Sequence, residues 1–202
     1  MRLFVLFAVG ALAMGAAAGQ EIQRITADGE RQMLAGTGRM TVGAHLPDVT
    51  VVEYFDYNCP YCKKMVPTLN SLVAQDHKLA VIYKEWPILG ELSVYAARST
   101  LAAMWQGKYL AAHDALMSGP RLSTHEQIDA LLQLAGVNMA ALNAARAKHA
   151  ADINALLSRS EEEASALGLK GTPGLIVGRQ LLPGIADLTQ LQQLVEASRS
   201  AK

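Results

Sequence analysis

Two cysteines, Cys59 and Cys62, are the residues whose type and spacing most directly suggest chemistry, and the chain contains no others. Positions i and i+3 of a helix share a face, so these thiols can form a disulfide across one turn. If Cys59 begins the helix, free backbone N–H groups and the helix dipole lower its pKa below about 8.5, the value of a free thiol. Because the thiolate attacks disulfides, the pair predicts thiol–disulfide exchange, with Cys59 attacking and Cys62 resolving the mixed disulfide.

A cysteine pair with this spacing could instead form a structural disulfide, part of a zinc site or a copper(I) site. A structural disulfide that closes so short a loop would constrain the unfolded chain very little. A zinc site needs four ligands, and neither a second cysteine pair nor clustered histidines supply the missing ones. Two thiolates suit copper(I), which prefers soft ligands, so a metal-binding or metal-delivery protein stays open as the alternative function. Redox exchange itself would require no metal and no cofactor beyond the Cys59–Cys62 disulfide.

The elements around the pair are predicted to hold it just after a strand. Residues 49–55 are rich in β-branched and aromatic side chains, which indicates a buried strand. Asn58 precedes a helix that starts near Cys59, and Pro60 takes an early helical position, where its missing N–H costs nothing. A second strand is predicted over residues 79–84.

The remainder of the chain is predicted to be a helical block followed by a shorter mixed segment. Residues 91–167 are dominated by Ala and Leu at helical spacing, with breaks at Gly and Pro. Strand character returns at 174–178 and 181–184, and a last helix is expected over 186–197. The predicted order is therefore β-α-β, a helical block, then β-β-α, preceded by a polar lead over residues 20–46 with short helical pieces.

The N-terminus and the charge balance indicate export and exclude some partners. Arg2, an apolar run over 3–14 and small residues at 15–19 are typical of a secretory signal peptide, cut near Ala18 or Gly19. A retained anchor is the alternative, but about 12 strongly apolar residues are short for the roughly 20 that span a bilayer. Lys+Arg and Asp+Glu both number 18, so nothing in the net charge favours nucleic acid as a partner.

Residues 53–63, Glu-Tyr-Phe-Asp-Tyr-Asn-Cys-Pro-Tyr-Cys-Lys, resemble the active-site region of bacterial DsbA-family thiol:disulfide interchange proteins. Glu53, Pro67 and the Thr172–Pro173 pair also match that thioredoxin-like pattern, and the resemblance extends roughly over residues 49–197. It implies an α/β thioredoxin-like fold over 47–200, with a helical insertion at about 90–168, and a periplasmic protein.

The resemblance implies roles for the residues around the cysteines. Glu53 would be the buried acid under the site, with a raised pKa, exchanging a proton with Cys62; a Glu at a strand edge facing solvent is the alternative. Thr172–Pro173 would form a cis-proline loop facing the thiols, against the simpler reading of an ordinary turn. Pro60, Tyr61, Thr172 and Pro173 would contact substrate, with the backbone of Thr172 pairing an extended chain.

The direction of exchange stays open between disulfide formation, reduction and isomerisation. The dipeptide Pro60-Tyr61 lacks the histidine of the strongest oxidases, and Thr172 resembles the isomerase and reductase branch. The lead over 20–46 is too short for the dimerisation domain of dimeric isomerases, which favours a monomer. Expected partners are unfolded or misfolded exported proteins and a membrane protein that resets the redox state.

Several other polar residues are predicted to have no part in the chemistry. The five histidines are scattered, and solvated positions explain them. Glu161, Glu162 and Glu163 are expected on a solvated helix face. Asp56 and Tyr57 are expected to shape the approach to the cysteines rather than to react.

Overall fold

A computed structural model describes residues 23–201 of the chain. The predicted signal peptide lies outside the described residues. Within residues 23–201, no single helix is both long and apolar enough to cross a membrane; only the bent pair His125–Leu134 and Met139–Lys148 passes that test when joined.

One mixed sheet of six strands runs through the described region, in the order β1-β6-β5-β3-β4-β2. The strands are β1 (Gln23–Arg24), β2 (Thr41–Gly43), β3 (Val49–Phe55), β4 (Leu79–Glu85), β5 (Gly174–Val177) and β6 (Gln180–Pro183). The central strand β3 pairs in parallel with β4 and antiparallel with β5. Its C-terminal end, which leads to the cysteines, is therefore anchored on both sides.

Eight α-helices of the described region surround this sheet. They are α1 (Ala27–Leu34), α2 (Pro60–Gln75), α3 (Glu91–Ala102), α4 (Tyr109–Ser118), α5 (His125–Leu134), α6 (Met139–Lys148), α7 (Ala150–Ala166) and α8 (Leu188–Ser200). Two short 3₁₀ helices cover Gly38–Met40 and Ala103–Gln106. The five consecutive helices α3 to α7 lie between β4 and β5, where the sequence predicts a helical block. The predicted thioredoxin-like α/β class is confirmed.

The alternation of side chains along β3 decides which residues face the cysteines. Val51 and Phe55 belong to the larger core, together with Cys62 and the apolar face of α2. Val52 and Tyr54 point to the other face of the sheet and join a smaller core with α1 and α7. Successive side chains of a strand alternate between faces, so Glu53 lies on the side of α2 and the two thiols.

The lead over residues 20–46 contributes strands to the sheet as well as helix. β1 pairs with β6 at one edge, and β2 pairs with β4 at the other. Met33 of α1 and Met40 are buried, with 4% and 5% of their surface exposed. Residues 23–43 are thus part of the packed structure, which the weak periodicity of this segment did not predict.

The prediction that all five histidines are solvated is wrong for His113. This residue is 2% exposed, and its ring stacks on Tyr83 with the centroids 4.0 Å apart. Its Nδ1 lies 3.3 Å from the hydroxyl of Tyr57. Burial, and secondarily the charge of Lys63, lowers the pKa of His113 to about 3, so the ring is neutral at ordinary pH.

The prediction of a solvated face at residues 161–163 is wrong for Glu163. Its carboxylate forms a salt bridge with Lys84, whose side chain is 4% exposed, and accepts hydrogen bonds from Tyr54 and Arg159 at 2.8 Å each. The neighbouring Glu161 accepts from the indole N–H of Trp86. α7 is therefore fastened to β3 and β4 by polar contacts as well as by apolar packing.

Candidate active site

The helix that carries the cysteines begins directly at the first thiol. Cys59 is the N-cap of α2, with extended backbone dihedrals, and Pro60 takes the first helical position. The Cys59 sulfur accepts a hydrogen bond from the N–H of Cys62 at 3.3 Å, as a capping side chain does. The sulfur thus lies where the free N–H groups and the positive end of the helix dipole stabilise a negative charge.

These surroundings lower the pKa of Cys59 to about 6. The largest contribution is a hydrogen bond from the Cys62 side chain, which outweighs the opposing effect of burial; backbone N–H groups lower the pKa further. A thiol with this pKa is mostly thiolate at pH 7. Cys59 is therefore prepared to attack a disulfide and, in the reverse direction, to leave.

Cys62 has the opposite character. It is fully buried, and burial, the hydrogen bond to Cys59 and the charge of Glu53 raise its pKa far above the ordinary value of a thiol. Both cysteines are free thiols in this structure. The two cysteines, one helical turn apart, thus differ in acidity: Cys59 loses its proton readily and Cys62 keeps it.

Glu53 lies beneath the cysteines rather than at a solvent-exposed strand edge. The side chain is 1% exposed, and among the described residues its Oε1 has no hydrogen-bond partner. Burial, followed by the charge of Cys59, raises the pKa of this carboxyl to about 8. The group can therefore hold or release a proton near neutral pH, and its charge acts on Cys62.

The Thr172–Pro173 loop reaches the thiols from the other end of the chain. The peptide bond between these residues is cis. In its protonated form the Cys59 thiol donates to the carbonyl of Thr172 at 3.2 Å, and Gly184 N–H donates to the carbonyl of Pro173 at 2.8 Å. Residues separated by more than 100 positions in the chain thus meet at the Cys59 sulfur.

A family model for the DSBA-like thioredoxin domain matches residues 50–196, which include all of these groups. The chain belongs to the DSBA-like thioredoxin family. Members of this family are thiol–disulfide oxidoreductases, and so is this protein. The predicted family and enzyme class are confirmed.

Solved structures with the same fold are also thioredoxin-like proteins. The chain is similar to a thioredoxin-like oxidoreductase from Silicibacter pomeroyi DSS-3, with a TM-score of 0.77 and 39% identity, covering 80% of this chain and 92% of that one. A periplasmic thioredoxin-like protein from Salmonella enterica serovar Typhimurium has a TM-score of 0.72 and 28% identity, with coverages of 88% and 99%. The thiol-disulfide exchange protein alpha-DsbA2 from Wolbachia pipientis has a TM-score of 0.74 and 26% identity, with coverages of 84% and 95%.

In this DsbA-like chain, Asp56 organises the approach to Cys59, as the sequence analysis expected. Its buried carboxylate accepts hydrogen bonds from the N–H groups of Asn58 and Leu89, at 2.7 and 2.9 Å, and from the Ser93 hydroxyl at 2.7 Å. One side chain therefore joins the cysteine turn to the start of α3. The sequence gives no signal for the contact with α3, because Leu89 and Ser93 lie more than 30 positions from Asp56.

The surface beside Cys59 is apolar and wider than the sequence predicted. Tyr61 is 54% exposed, and Ile88, Leu89 and Ile185 are also exposed, at 40%, 50% and 48%. The hydrogen bonds from Leu89 to Asp56 and from Gly184 to Pro173 bring the loops that carry these residues to the cysteine end of the sheet. Of these four, sequence reasoning identified Tyr61 alone, since an exposed Ile or Leu in a loop has no distinctive pattern.

No group of three or more His, Cys, Asp or Glu side chains that could hold a metal ion occurs among residues 23–201.

Proposed function

We propose that this protein is an exported, periplasmic oxidoreductase that exchanges disulfides with unfolded or misfolded exported proteins through Cys59 and Cys62. The observation that carries the proposal is the division of the two thiols, with the pKa of Cys59 lowered to about 6 and that of buried Cys62 raised. The signal-like N-terminus and the likeness to a periplasmic protein of Salmonella enterica support the location.

Exchange with a substrate disulfide proceeds in two balanced steps. The Cys59 thiolate attacks one substrate sulfur, so that a mixed disulfide forms and the other substrate sulfur leaves as a thiolate. Cys62 then loses its proton to Glu53, directly or through water, and attacks the Cys59 sulfur. The second substrate thiolate leaves, the substrate is reduced by two electrons, and the enzyme is left with the Cys59–Cys62 disulfide. The same steps in reverse introduce a disulfide into a substrate.

An extended, partly apolar chain is the substrate that fits the surface around Cys59. Pro60 and Tyr61, together with Thr172 and Pro173, would frame the reacting sulfur. An added strand would pair with the backbone of Thr172, whose carbonyl accepts from Cys59 in the free enzyme. The exposed side chains of Ile88, Leu89 and Ile185 extend this surface. Folded proteins bury such chains, so the surface favours unfolded or misfolded clients.

Trapping tests this function directly. In Cys62→Ser the resolving thiol is absent, so mixed disulfides with clients should accumulate on Cys59 when the variant is produced with its export signal. Cys59→Ser is the matched control and should trap none. Recovery of no mixed disulfide from Cys62→Ser would contradict the proposal. Stoichiometric retention of copper(I) by the wild-type protein, with no exchange of glutathione disulfide, would instead favour the metal-delivery alternative.

The direction of electron flow depends on the reduction potential of the couple. Because the dipeptide Pro60-Tyr61 lacks a histidine, we expect a potential of about −200 mV or below, the range of isomerases and reductases. A membrane partner would then keep the protein, which we propose to be a monomer, in its reduced state. A value near the roughly −120 mV of the strongest oxidases would contradict this assignment and make disulfide formation the reaction.

A further inference from the structure

Lys63, the residue directly after the second cysteine, makes contacts that the exchange mechanism does not use. Its Nζ donates to the backbone carbonyls of Leu116 at 2.5 Å and Gly119 at 3.1 Å, and lies 3.4 Å from that of Met117. A helix of the central fold thereby contacts the helical block through one ammonium group.

These carbonyls form the C-terminal end of α4. The last carbonyls of a helix have no partner within the helix, and together they form the negative end of its dipole. α4 has no basic residue in its own last turn. Lys63 therefore supplies, from α2, both the hydrogen-bond donors and the positive charge that this helix end lacks.

The loop that follows α4 is held to the cysteine turn at a second point. The side-chain amide of Asn58 accepts from the N–H of Leu122 at 2.8 Å and donates to its carbonyl at 3.3 Å. Lys63 and Asn58 flank the two cysteines, so the end of α4 and the loop after it are fixed on both sides of the redox pair. A shift of this helix end would move its negative charge relative to the thiols.

The ammonium is also close enough to the site to act on it electrically. Burial lowers the pKa of Lys63 to about 8, and the charges of Cys62 and Asp56 act in the opposite direction. The same ammonium acts on His113. Electrostatic interactions are reciprocal, so Lys63 favours the thiolate form of Cys62, and we extend an effect of the same sign to Cys59, which caps the same helix.

We propose that Lys63 is a positioning residue of the redox site, which holds the C-terminal end of α4 against α2 and cancels its negative charge beside the thiols. The inference rests on the proposed exchange reaction of Cys59 and Cys62 and adds a determinant of its redox equilibrium. The reduced enzyme carries the Cys59 thiolate, so a charge that stabilises the thiolate makes the disulfide more oxidising.

Lys64 provides a matched control. It is the next residue on the same helix and has the same charge, but it is exposed and its Nζ lies 5.5 Å from the centre of the Tyr61 ring. The comparison of Lys63→Gln with Lys64→Gln therefore separates the specific contact with α4 from the loss of any positive charge near the site.

The experiment measures two properties of the full chain, the Cys59 pKa from the ultraviolet absorbance of the thiolate and the equilibrium constant with glutathione. In Lys63→Gln we expect the pKa to rise by about 0.5 unit or more and the oxidising equilibrium constant to fall about threefold or more, as loss of a partly buried charge at a helix end implies. Lys63→Arg should restore both properties. Lys64→Gln should change the pKa by less than about 0.3 unit and the equilibrium constant by less than about twofold.

A Lys63→Gln protein that melts at a lower temperature but keeps the wild-type pKa and equilibrium constant would overturn the inference, because Lys63 would then act on stability alone. Lys63→Met, which keeps the apolar stem, replaces the Gln variant if that one does not fold. Failure of both neutral variants to fold would also overturn it. If the wild-type protein does not exchange with glutathione, the proposed function fails, while the Cys59 pKa still decides the role of Lys63.

Discussion

Cys59 and Cys62 differ in their surroundings and not in their chemistry as residues. Cys59 caps α2 and faces free N–H groups, while Cys62, one turn later, is enclosed by β3 and Glu53. The helix end separates the two thiols in pKa, so that one attacks and the other waits for a base. We propose Glu53 as that base, since its pKa of about 8 allows proton exchange near neutrality.

We expect Glu53→Gln to slow the second step of exchange, in which Cys62 must lose its proton. General base catalysis typically contributes about 100-fold or more, so the release of reduced substrate should slow by that order at pH 7. The attack of Cys59 on the substrate should change little, because the Cys59 thiolate is already formed. Rapid-mixing kinetics with a fluorescent peptide disulfide separate the two steps. Equal slowing of both steps would contradict a base role for Glu53.

The same substitution should change the dependence of stability on pH. The folded-state pKa of Glu53 is raised from 4.5 to about 8, so between these values the folded chain keeps a proton that the unfolded chain loses. Stability from this group is complete below about pH 4.5 and declines as pH rises towards 8. One pKa unit corresponds to about 1.4 kcal/mol. At pH 8 the free energy of unfolding of Glu53→Gln should therefore exceed that of the wild type by at least about 2 kcal/mol.

Urea unfolding of both reduced proteins at pH 5, 7 and 8 gives this difference directly. Exposed Glu162→Gln serves as the control and should stay within about 0.5 kcal/mol of the wild type at each pH. An advantage of Glu53→Gln that does not grow with pH would mean that the carboxyl is not protonated in the folded protein.

At the level of elements, helical periodicity identified α7 but not which of its polar side chains are buried. Glu161, Glu162 and Glu163 are consecutive, and nothing local distinguishes the third. Its distinction comes from Lys84 of β4, a strand 79 positions earlier in the chain. A buried acid–base pair requires both partners to be known in space, and one sequence does not contain that information.

We expect Glu163→Gln to destabilise the protein by about 3 kcal/mol, because it leaves the buried ammonium of Lys84 without a counter-charge. The double substitution Lys84→Met with Glu163→Gln should recover part of this loss, since the unpaired charge is gone. Thermal and urea unfolding measure both effects, with Glu162→Gln as the neighbouring control. Equal stability of the single variant and the control would show that the pair contributes nothing.

For the whole molecule, element order was predictable and edge pairing was not. The strands around the cysteines, the helical block and the closing β-β-α unit all have strong local patterns, and their order agreed with the thioredoxin-like fold that the family resemblance implied. The residues predicted for the site, Glu53, Cys59, Cys62 and Thr172–Pro173, lie on these elements or directly before them, so the fold brings them together, while their catalytic and binding roles stay predictions. Lys63, Asp56 and Asn58 were missed as links to the helical block. The partners of Lys63 and Asn58 are backbone groups, which any sequence can supply, and Asp56 binds the N–H of Leu89 and the hydroxyl of Ser93, which lie far from it in the chain.

The lead over residues 20–46 was missed for a related reason. Its strands β1 and β2 have two and three residues, too few for any alternation to show. They exist because β6 and β4 present unpaired edges, which short strands can cover. A chain starting at residue 47 would lose both edge strands and the buried Met33 and Met40.

We expect that shortened chain to be much less stable than one starting at Gln20, and more prone to aggregate. Exposing the pockets of two buried methionines costs several kcal/mol, a large share of the roughly 5–15 kcal/mol that stabilises a domain. Exposed edges of β4 and β6 also favour pairing between chains. Thermal melting and size-exclusion chromatography of the two chains provide the comparison.

A point substitution tests the same edge without removing any residue. Gly43 of β2 has φ +102, and an added Cβ would lie 2.5 Å from the backbone oxygen of Leu79, so Gly43→Ala must push β2 away from β4. Gly36 has φ +74 but nothing within 4 Å of an added Cβ, so Gly36→Ala carries the backbone strain without the clash. Gly43→Ala should therefore lower the melting temperature clearly more than Gly36→Ala. Equal effects would mean that the β2–β4 contact does not stabilise the sheet.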